Sequence, residues 1–196
     1  MAAAFDPLPI WYAPYEERAV DGRAFPLHAL TQRPMIMYHS WGSQNAWLRQ
    51  ILGCNKLYVA AAKARELGLA DDDWVRVVSR NGVVKAQIKT MDGVNPDTVW
   101  TWNAVGKRAG AWRLDAAAPE ARKGFLLNHL ISEFLPDEAE RRLNADPITG
   151  QAAWFDLRVR IEPCEPGEEV SEPQFPALSP LVGLDPPPNA SRSRRR

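Results

Sequence analysis

With 196 residues, 24 Lys+Arg balanced by 24 Asp+Glu and 45% hydrophobic residues, the chain has the length and apolar content of one ordinary domain with extensions. This composition excludes wholesale disorder and collagen-like or coiled-coil architectures, and a formal charge of zero removes any global attraction for nucleic acid or an anionic bilayer. Cys54 and Cys164 lie far apart with no CxxC anywhere, which excludes a zinc ribbon, a redox dithiol or an iron–sulfur cluster built from this chain alone.

Met1 to Arg23 carries Trp11, Tyr12 and Tyr15 among prolines and charges without a regular period, and is expected to be an irregular lead-in (1–23). Its start lacks the basic region and apolar run of a secretory signal, and no stretch of roughly 18 apolar residues follows. A cytoplasmic chain without direct membrane insertion is therefore expected. Phe25 to Leu30 and Met35 to Tyr38 are short apolar runs separated by Thr31-Gln32-Arg33-Pro34, where proline removes a donor and restricts its neighbour. Strand, loop, strand is the reading. From Ala60 the composition turns to Ala, Lys, Arg, Glu and Leu until Gly68 offers the left-handed residue that ends many helices, so a short helix is expected over Ala60–Leu67.

Trp74 to Ser79 and Val83 to Thr90 flank Arg80-Asn81-Gly82, and Asn-Gly suits a tight primed turn. Val84, Ala86 and Ile88 alternate with Lys85, Gln87 and Lys89, which predicts a hairpin with one wet face. Thr98 to Trp102 reads as a strand, Gly124 to Leu135 as a helix stopped near Pro136, and Leu157 to Ile161 as a closing strand. Eight of the 17 prolines fall between Pro163 and Pro188, among several glutamates and ahead of Arg192, Arg194, Arg195 and Arg196, so 163–196 is expected to be a disordered tail. What remains, 24–162, is a mainly β domain with short helices inserted, and many short strands in that length favour a closed barrel.

The ordered motifs point to a family. Ala62-Lys63-Ala64-Arg65-Glu66-Leu67-Gly68-Leu69-Ala70-Asp71-Asp72-Asp73 followed by Trp74 to Gly82 resembles the helix, glycine stop, acidic turn and strand of a six-stranded double-psi β-barrel. With Pro26-Leu27-His28-Ala29-Leu30-Thr31-Gln32-Arg33 before it, His39-Ser40, Asn128-His129-Leu130-Ile131 and Asp146-Pro147-Ile148-Thr149-Gly150-Gln151, the order is similar to the C-terminal molybdopterin-dinucleotide-binding domain of the dimethyl sulfoxide reductase superfamily of molybdenum and tungsten oxidoreductases. The segments His39 to Arg49 and Trp100 to Arg108 look closest to its sulfite dehydrogenase and polysulfide reductase branch. Three positions depart from the family pattern: Gln32 and Asp72 stand where glycine is usual, and Phe155 where a lysine is expected after Asp-Pro.

The resemblance implies a barrel that binds molybdenum or tungsten bis(molybdopterin guanine dinucleotide) together with another chain. Family catalytic subunits are several times longer and carry the cluster cysteines and the metal ligand outside the region that resembles this chain. The expected partners are thus a catalytic molybdopterin oxidoreductase polypeptide and an iron–sulfur electron-transfer subunit, with no catalytic residue, metal ligand or cluster on this chain and no nucleic acid. Implied cofactor contacts are Thr31, Gln32 and Arg33, then His39, Ser40, Ser43, Gln44 and Asn45 between Trp41 and Trp47, then Asn128 and Gln151.

Those residue types suit the task. A fused heterocycle with a diphosphate needs amides and hydroxyls for its edges and a guanidinium for its anionic groups. Plainer readings stand beside each. Thr31-Gln32-Arg33 also reads as a surface loop, the tryptophans as core, Asn128 as a helix cap and Gln151 as part of a simple turn. His28, His39 and His129 have no metal-ligand spacing, and Asp71-Asp72-Asp73 lacks the glycine and glutamate of a calcium loop. Two other functions fit the same residues: an interaction module using the proline-rich tail and exposed tryptophans, and a self-processing pyruvoyl decarboxylase cleaved at Gly42-Ser43.

Overall fold

A computed structural model of the chain describes residues 11, 16–17, 20–103, 105, 123–131, 145, 149–152 and 157–168. Six strands form: β1 Leu27–Gln32, β2 Leu57–Ala60, β3 Trp74–Ser79, β4 Gly82–Met91, β5 Thr98–Trp102 and β6 Arg158–Pro163. They close into a mainly β barrel in the order β1-β5-β2-β4-β3-β6. β1 with β5 and β2 with β4 are parallel, and the other four pairs are antiparallel. The short strands predict a closed barrel, and six strands is the number the family resemblance implies.

Alternation decides what fills it. Leu27 and Ala29 of β1, Leu57 and Val59 of β2, Val75 and Val77 of β3, Val84, Ala86 and Ile88 of β4, Val99 of β5 and Val159 of β6 are all buried, and their strand neighbours are less buried except at the ends of β2 and β3, where Ala60 and Val78 are covered as well. Mostly β-branched and small side chains suit the narrow interior of a six-stranded barrel. On the outer wall Tyr58 stacks on Trp100 with centroids 4.1 Å apart, and Trp102 meets both edge-on.

Short helices are inserted among the strands, α1 Ala46–Ile51 between β1 and β2 and α2 Ala61–Glu66 between β2 and β3. Gly68, at φ 68°, ends α2 as its position predicts, with Leu69 N–H donating to the Ala64 carbonyl at 2.9 Å. Asp72 takes φ 73°, so the acidic turn keeps the left-handed backbone that glycine would favour although an aspartate stands there. Its carboxylate pairs with Lys56, and its N–H donates to the Ile88 carbonyl at 3.0 Å.

Several expectations are corrected. Met35 to Tyr38 is a series of bends, because Pro34 withdraws a donor and only Met37 turns inward. Thr31 and Gln32 belong to β1, so the loop begins at Arg33. The hairpin turn is Arg80-Asn81 with Ser79 opposite Gly82, and neither turn residue takes a positive φ, so the primed turn does not form. Asn81 is held otherwise: its N–H donates to Ser79 Oγ at 3.0 Å and its Nδ2 to the Leu130 carbonyl at 3.0 Å.

Within the expected helix Gly124–Leu135, the described residues form only a 3-10 turn, Leu127–Leu130. The spacing of three between buried Leu127 and Leu130 puts both on one side of such a turn. Ser79 Oγ also donates to the Leu130 carbonyl, at 2.8 Å, and fixes its end. β2 and α1 were not foreseen. Residues 132–135, the lead-in apart from 11, 16–17 and 20–23, and the tail beyond 168 lie outside the described residues.

A buried hinge of hydrogen bonds joins β5 to the chain entering β2. Asn55 Nδ2 donates to the Trp102 carbonyl at 2.8 Å, and its Oδ1 accepts from Thr101 Oγ1 at 3.0 Å. Asn55→Ala leaves that carbonyl with only the long 3.4 Å contact from Thr101 Oγ1 and takes one acceptor from the hydroxyl, so chemical denaturation should show a loss of about 1–2 kcal/mol. Asp71 accepts from Thr90 N–H at 2.6 Å and Oγ1 at 2.7 Å and pairs with Lys89, and these contacts, Lys89 foremost, hold its carboxyl far below the ordinary 3.8. A depressed folded pKa adds stability that is complete above the unfolded value and is lost as pH falls below it. Melting temperatures taken from pH 6 down to about pH 2 should therefore fall less steeply for Asp71→Asn below about pH 4 than for the native chain.

Candidate functional site

Strand direction sorts the connections into two ends. β1, β3 and β5 run one way and β2, β4 and β6 the other, as their pairings require. The connections 33–56, 80–81 and 103–157 therefore leave and re-enter at one end, and 61–73 and 92–97 at the other. Both long connections belong to the first end. Every residue that the sequence nominates lies on them or in the last two positions of β1.

At that end the backbone is pinned by a short series of contacts. Asn103 N–H donates to the Gln32 carbonyl at 2.8 Å, which ties the exit of β5 to the exit of β1. Its Oδ1 faces His39 Nδ1 at 3.2 Å, which draws the 33–56 connection over the same end. His39 sits at φ 51°, a left-handed conformation unusual for a side chain of this size, and its ring meets Tyr38 edge-on. The Arg33 guanidinium lies 5.5 Å from the Tyr38 ring centre. Cation and aromatic face are thus paired before any ligand arrives.

Thr31 continues the inward alternation of β1, and its buried hydroxyl has no hydrogen-bond partner among the described residues. A buried hydroxyl left unpaired costs about 1–3 kcal/mol, so the Thr31 hydroxyl at the mouth of the barrel is open to a water or a ligand atom. Gln32 and Arg33 are exposed, and Arg33 has no ion-pair partner among the described residues. Ser40 is exposed ahead of the 3-10 turn Trp41–Gln44, which carries Ser43 and Gln44; the side chains of those two are outside the described set. Asn45 caps α1, accepting from Trp47 N–H at 2.9 Å, so its oxygen is committed locally and its amide nitrogen is not.

Asn128 is exposed, not buried as its apolar neighbours implied, and it is not a cap: the 3-10 turn is preceded by Leu126 and has no side-chain cap bond. Gln151 is exposed in a turn whose Gly150 has φ 72°, with Gln151 N–H donating to Thr149 Oγ1 at 3.3 Å. Trp41 and Trp47 are not core residues either, being 80% and 76% exposed. Asp146, Pro147, Ile148 and Phe155 lie outside the described residues. Gly42, of the Gly42-Ser43 pair, packs against Met37 and Leu48.

Two features were open to sequence reasoning and went unread. No aspartate or glutamate occurs between Asp21 and Glu66, so the whole 33–56 connection is free of acid while carrying Arg33, Arg49 and Lys56. Arg49, like Arg33, has no ion-pair partner among the described residues. The 33–56 connection is therefore locally cationic within a neutral chain, although its Lys56 is paired with Asp72. The second is a cleft of about 540 Å³ that runs down the outer wall from Gln32 and Arg33, past Leu30 and Trp100, to Val94 and Asn95. Trp100 lines it because the stack with Tyr58 fixes its ring.

Residues 27–140 match the molydopterin dinucleotide binding domain. The chain is 56% identical over 184 residues to a sulfite dehydrogenase subunit of Allochromatium vinosum, an alignment covering 92% of this chain and 19% of that protein, so part of each extension is aligned as well. It is 29% identical over 93 residues to dimethyl sulfoxide/trimethylamine N-oxide reductase of Cereibacter sphaeroides, covering 46% of this chain and 11% of that protein. The chain thus spans about one fifth or less of these relatives. Among solved structures, acetylene hydratase from Pelobacter acetylenicus superposes with a TM-score of 0.64 over 83% of this chain and 22% of its own, at 17% identity, which carries the fold alone. By its matched residues and its barrel, the chain belongs to the molybdopterin-dinucleotide-binding domain family of the dimethyl sulfoxide reductase superfamily.

Proposed function

We propose that this chain is the cofactor-closing barrel of a molybdopterin oxidoreductase, binding molybdenum or tungsten bis(molybdopterin guanine dinucleotide) jointly with a separate catalytic polypeptide. The observation that carries the reading is the Arg33 guanidinium, without an ion-pair partner among the described residues, close in the chain to the orphaned Thr31 hydroxyl and on a connection free of acid, in a barrel of this family. These residues fit the group. Arg33 suits the diphosphate or a carbonyl edge of the pterin, and the exposed amides of Gln32, Asn128 and Gln151 suit its nitrogen and oxygen edges. Thr31 offers a hydroxyl, and His39, Ser40, Ser43, Gln44 and the free amide of Asn45 form a second polar group on the neighbouring connection.

When bound, the metal–pterin group supplies the redox chemistry. This chain's part is to bind, orient and hydrogen-bond it. The His39–Asn103 contact holds one polar group in place, and the hydrogen bonds of Ser79 and Asn81 to the Leu130 carbonyl hold the turn that presents Asn128. The metal ligand and any iron–sulfur cluster belong to partners, a catalytic polypeptide and an electron-transfer subunit, and the assembly works in the cytoplasm. The 56% identity to a sulfite dehydrogenase subunit supports the sulfite-oxidising branch for the complex.

Arg33→Ala should weaken cofactor retention in the reconstituted complex by about 1.5–3 kcal/mol, and Asn128→Ala by about 1, as read from the pterin content after dialysis. Because Asn128 is exposed and caps nothing, its alanine variant should melt with the native chain. An early-melting Asn128→Ala chain that still retains full pterin would show a structural asparagine and leave only the Arg33 side of the site.

A further inference from the structure

Large exposed apolar side chains on this barrel are concentrated in one place. Of the eight among the described residues, five fall within the 33–56 connection: Met35 (92% exposed), Tyr38 (64%), Trp41 (80%), Trp47 (76%) and Ile51 (68%). Helix α1 buries no residue at all. A six-residue helix has little stability of its own and ordinarily owes its form to the apolar face it packs. Here that face is open, yet the segment is held in shape by the Asn45 cap, by His39 on Asn103 and by Gly42 packed on the buried Met37.

We propose that Met35, Tyr38, Trp41, Trp47 and Ile51 form the docking face for the catalytic polypeptide, with Trp41 and Trp47 as its anchors. The inference rests on the cofactor reading, because a group held by two polypeptides must lie in their interface, and the surface flanking its contacts must then be interface too. The apolar residues do flank those contacts, alternating along the chain with Arg33, His39, Ser40 and Asn45. The occupant is a polypeptide equivalent to the part of the Allochromatium vinosum sulfite dehydrogenase subunit that this chain leaves uncovered, which is most of that protein. Rigid aromatic anchors at the centre of an interface commonly dominate its affinity. The face carries Arg49 and no acid, so the complementary surface is apolar with an acidic rim.

The test uses the full 196-residue chain and the Allochromatium vinosum polypeptide lacking its aligned region, co-expressed and captured through a tag on the latter. The native chain should co-purify with pterin. Trp41→Asp/Trp47→Asp should bind about 30-fold more weakly or worse, while melting as the native chain does. If that pair disturbs the fold, Met35→Lys/Ile51→Lys replaces it, with the same loss expected. Arg33→Ala should still co-purify but with less pterin. A native complex without pterin would remove the cofactor reading and leave the docking face standing. Undiminished capture of the Trp41/Trp47 variant would overturn the face whatever the pterin content. So would a native chain that fails to bind, or an isolated chain that dimerises until those tryptophans are changed.

Discussion

Two parallel strand pairs inside a closed six-stranded barrel set the terms for the rest of the molecule. Parallel neighbours cannot be joined by a hairpin, so the chain must cross an end of the barrel before it can pair β1 with β5 and β2 with β4. Closure leaves no sheet edge, and the interior is filled by side chains of its own strands, mostly small or β-branched, together with Leu27 and Leu57. A ligand therefore has no way into this core. It can only lie across an end or along the wall, and the two long connections, 33–56 and 103–157, leave and re-enter at the same end.

Charge is distributed unevenly along the chain. Both clusters of the acidic turn, Asp71 with Lys89 and Thr90, and Asp72 with Lys56, are consumed in local bonds, so they add little field of their own. The 33–56 connection has no acid to neutralise Arg33 and Arg49. In a chain of zero formal charge that segment is locally cationic, which is what the proposed contact of Arg33 with a diphosphate would use. The same connection exposes its apolar residues, so the proposed cofactor contacts and the proposed docking face share one segment.

How far the sequence was legible depended on whether a signal was local. Strands β3, β4 and β5, the glycine that ends α2 and the closing strand are written in alternation and in single turn residues, and they are read correctly. Strand β2 is four residues long, and its Leu57-Tyr58-Val59-Ala60 runs directly into the alanines of α2, so no boundary marks it. The turn at Leu127–Leu130 misleads for a different reason: its apolar spacing fits a helix, but the end of the segment is fixed by Ser79 and Asn81, some fifty residues earlier. The ten candidate positions were found through their resemblance to family motifs. That they leave the barrel at one end follows from pairing directions, which no single residue encodes. The exposure of Asn128, Trp41 and Trp47 was equally hidden, since an apolar neighbourhood in sequence says nothing about which face a partner will later cover.

Hydrogen–deuterium exchange on the complex with and without its pterin dinucleotide addresses the central claim, that the cofactor lies against the end of the barrel formed by the two long connections. The predicted result is added protection in 31–56 and 123–131, with 61–73 and 92–97 at the opposite end unchanged. Protection confined to 61–73 and 92–97, or uniform slowing of the core strands alone, would contradict it.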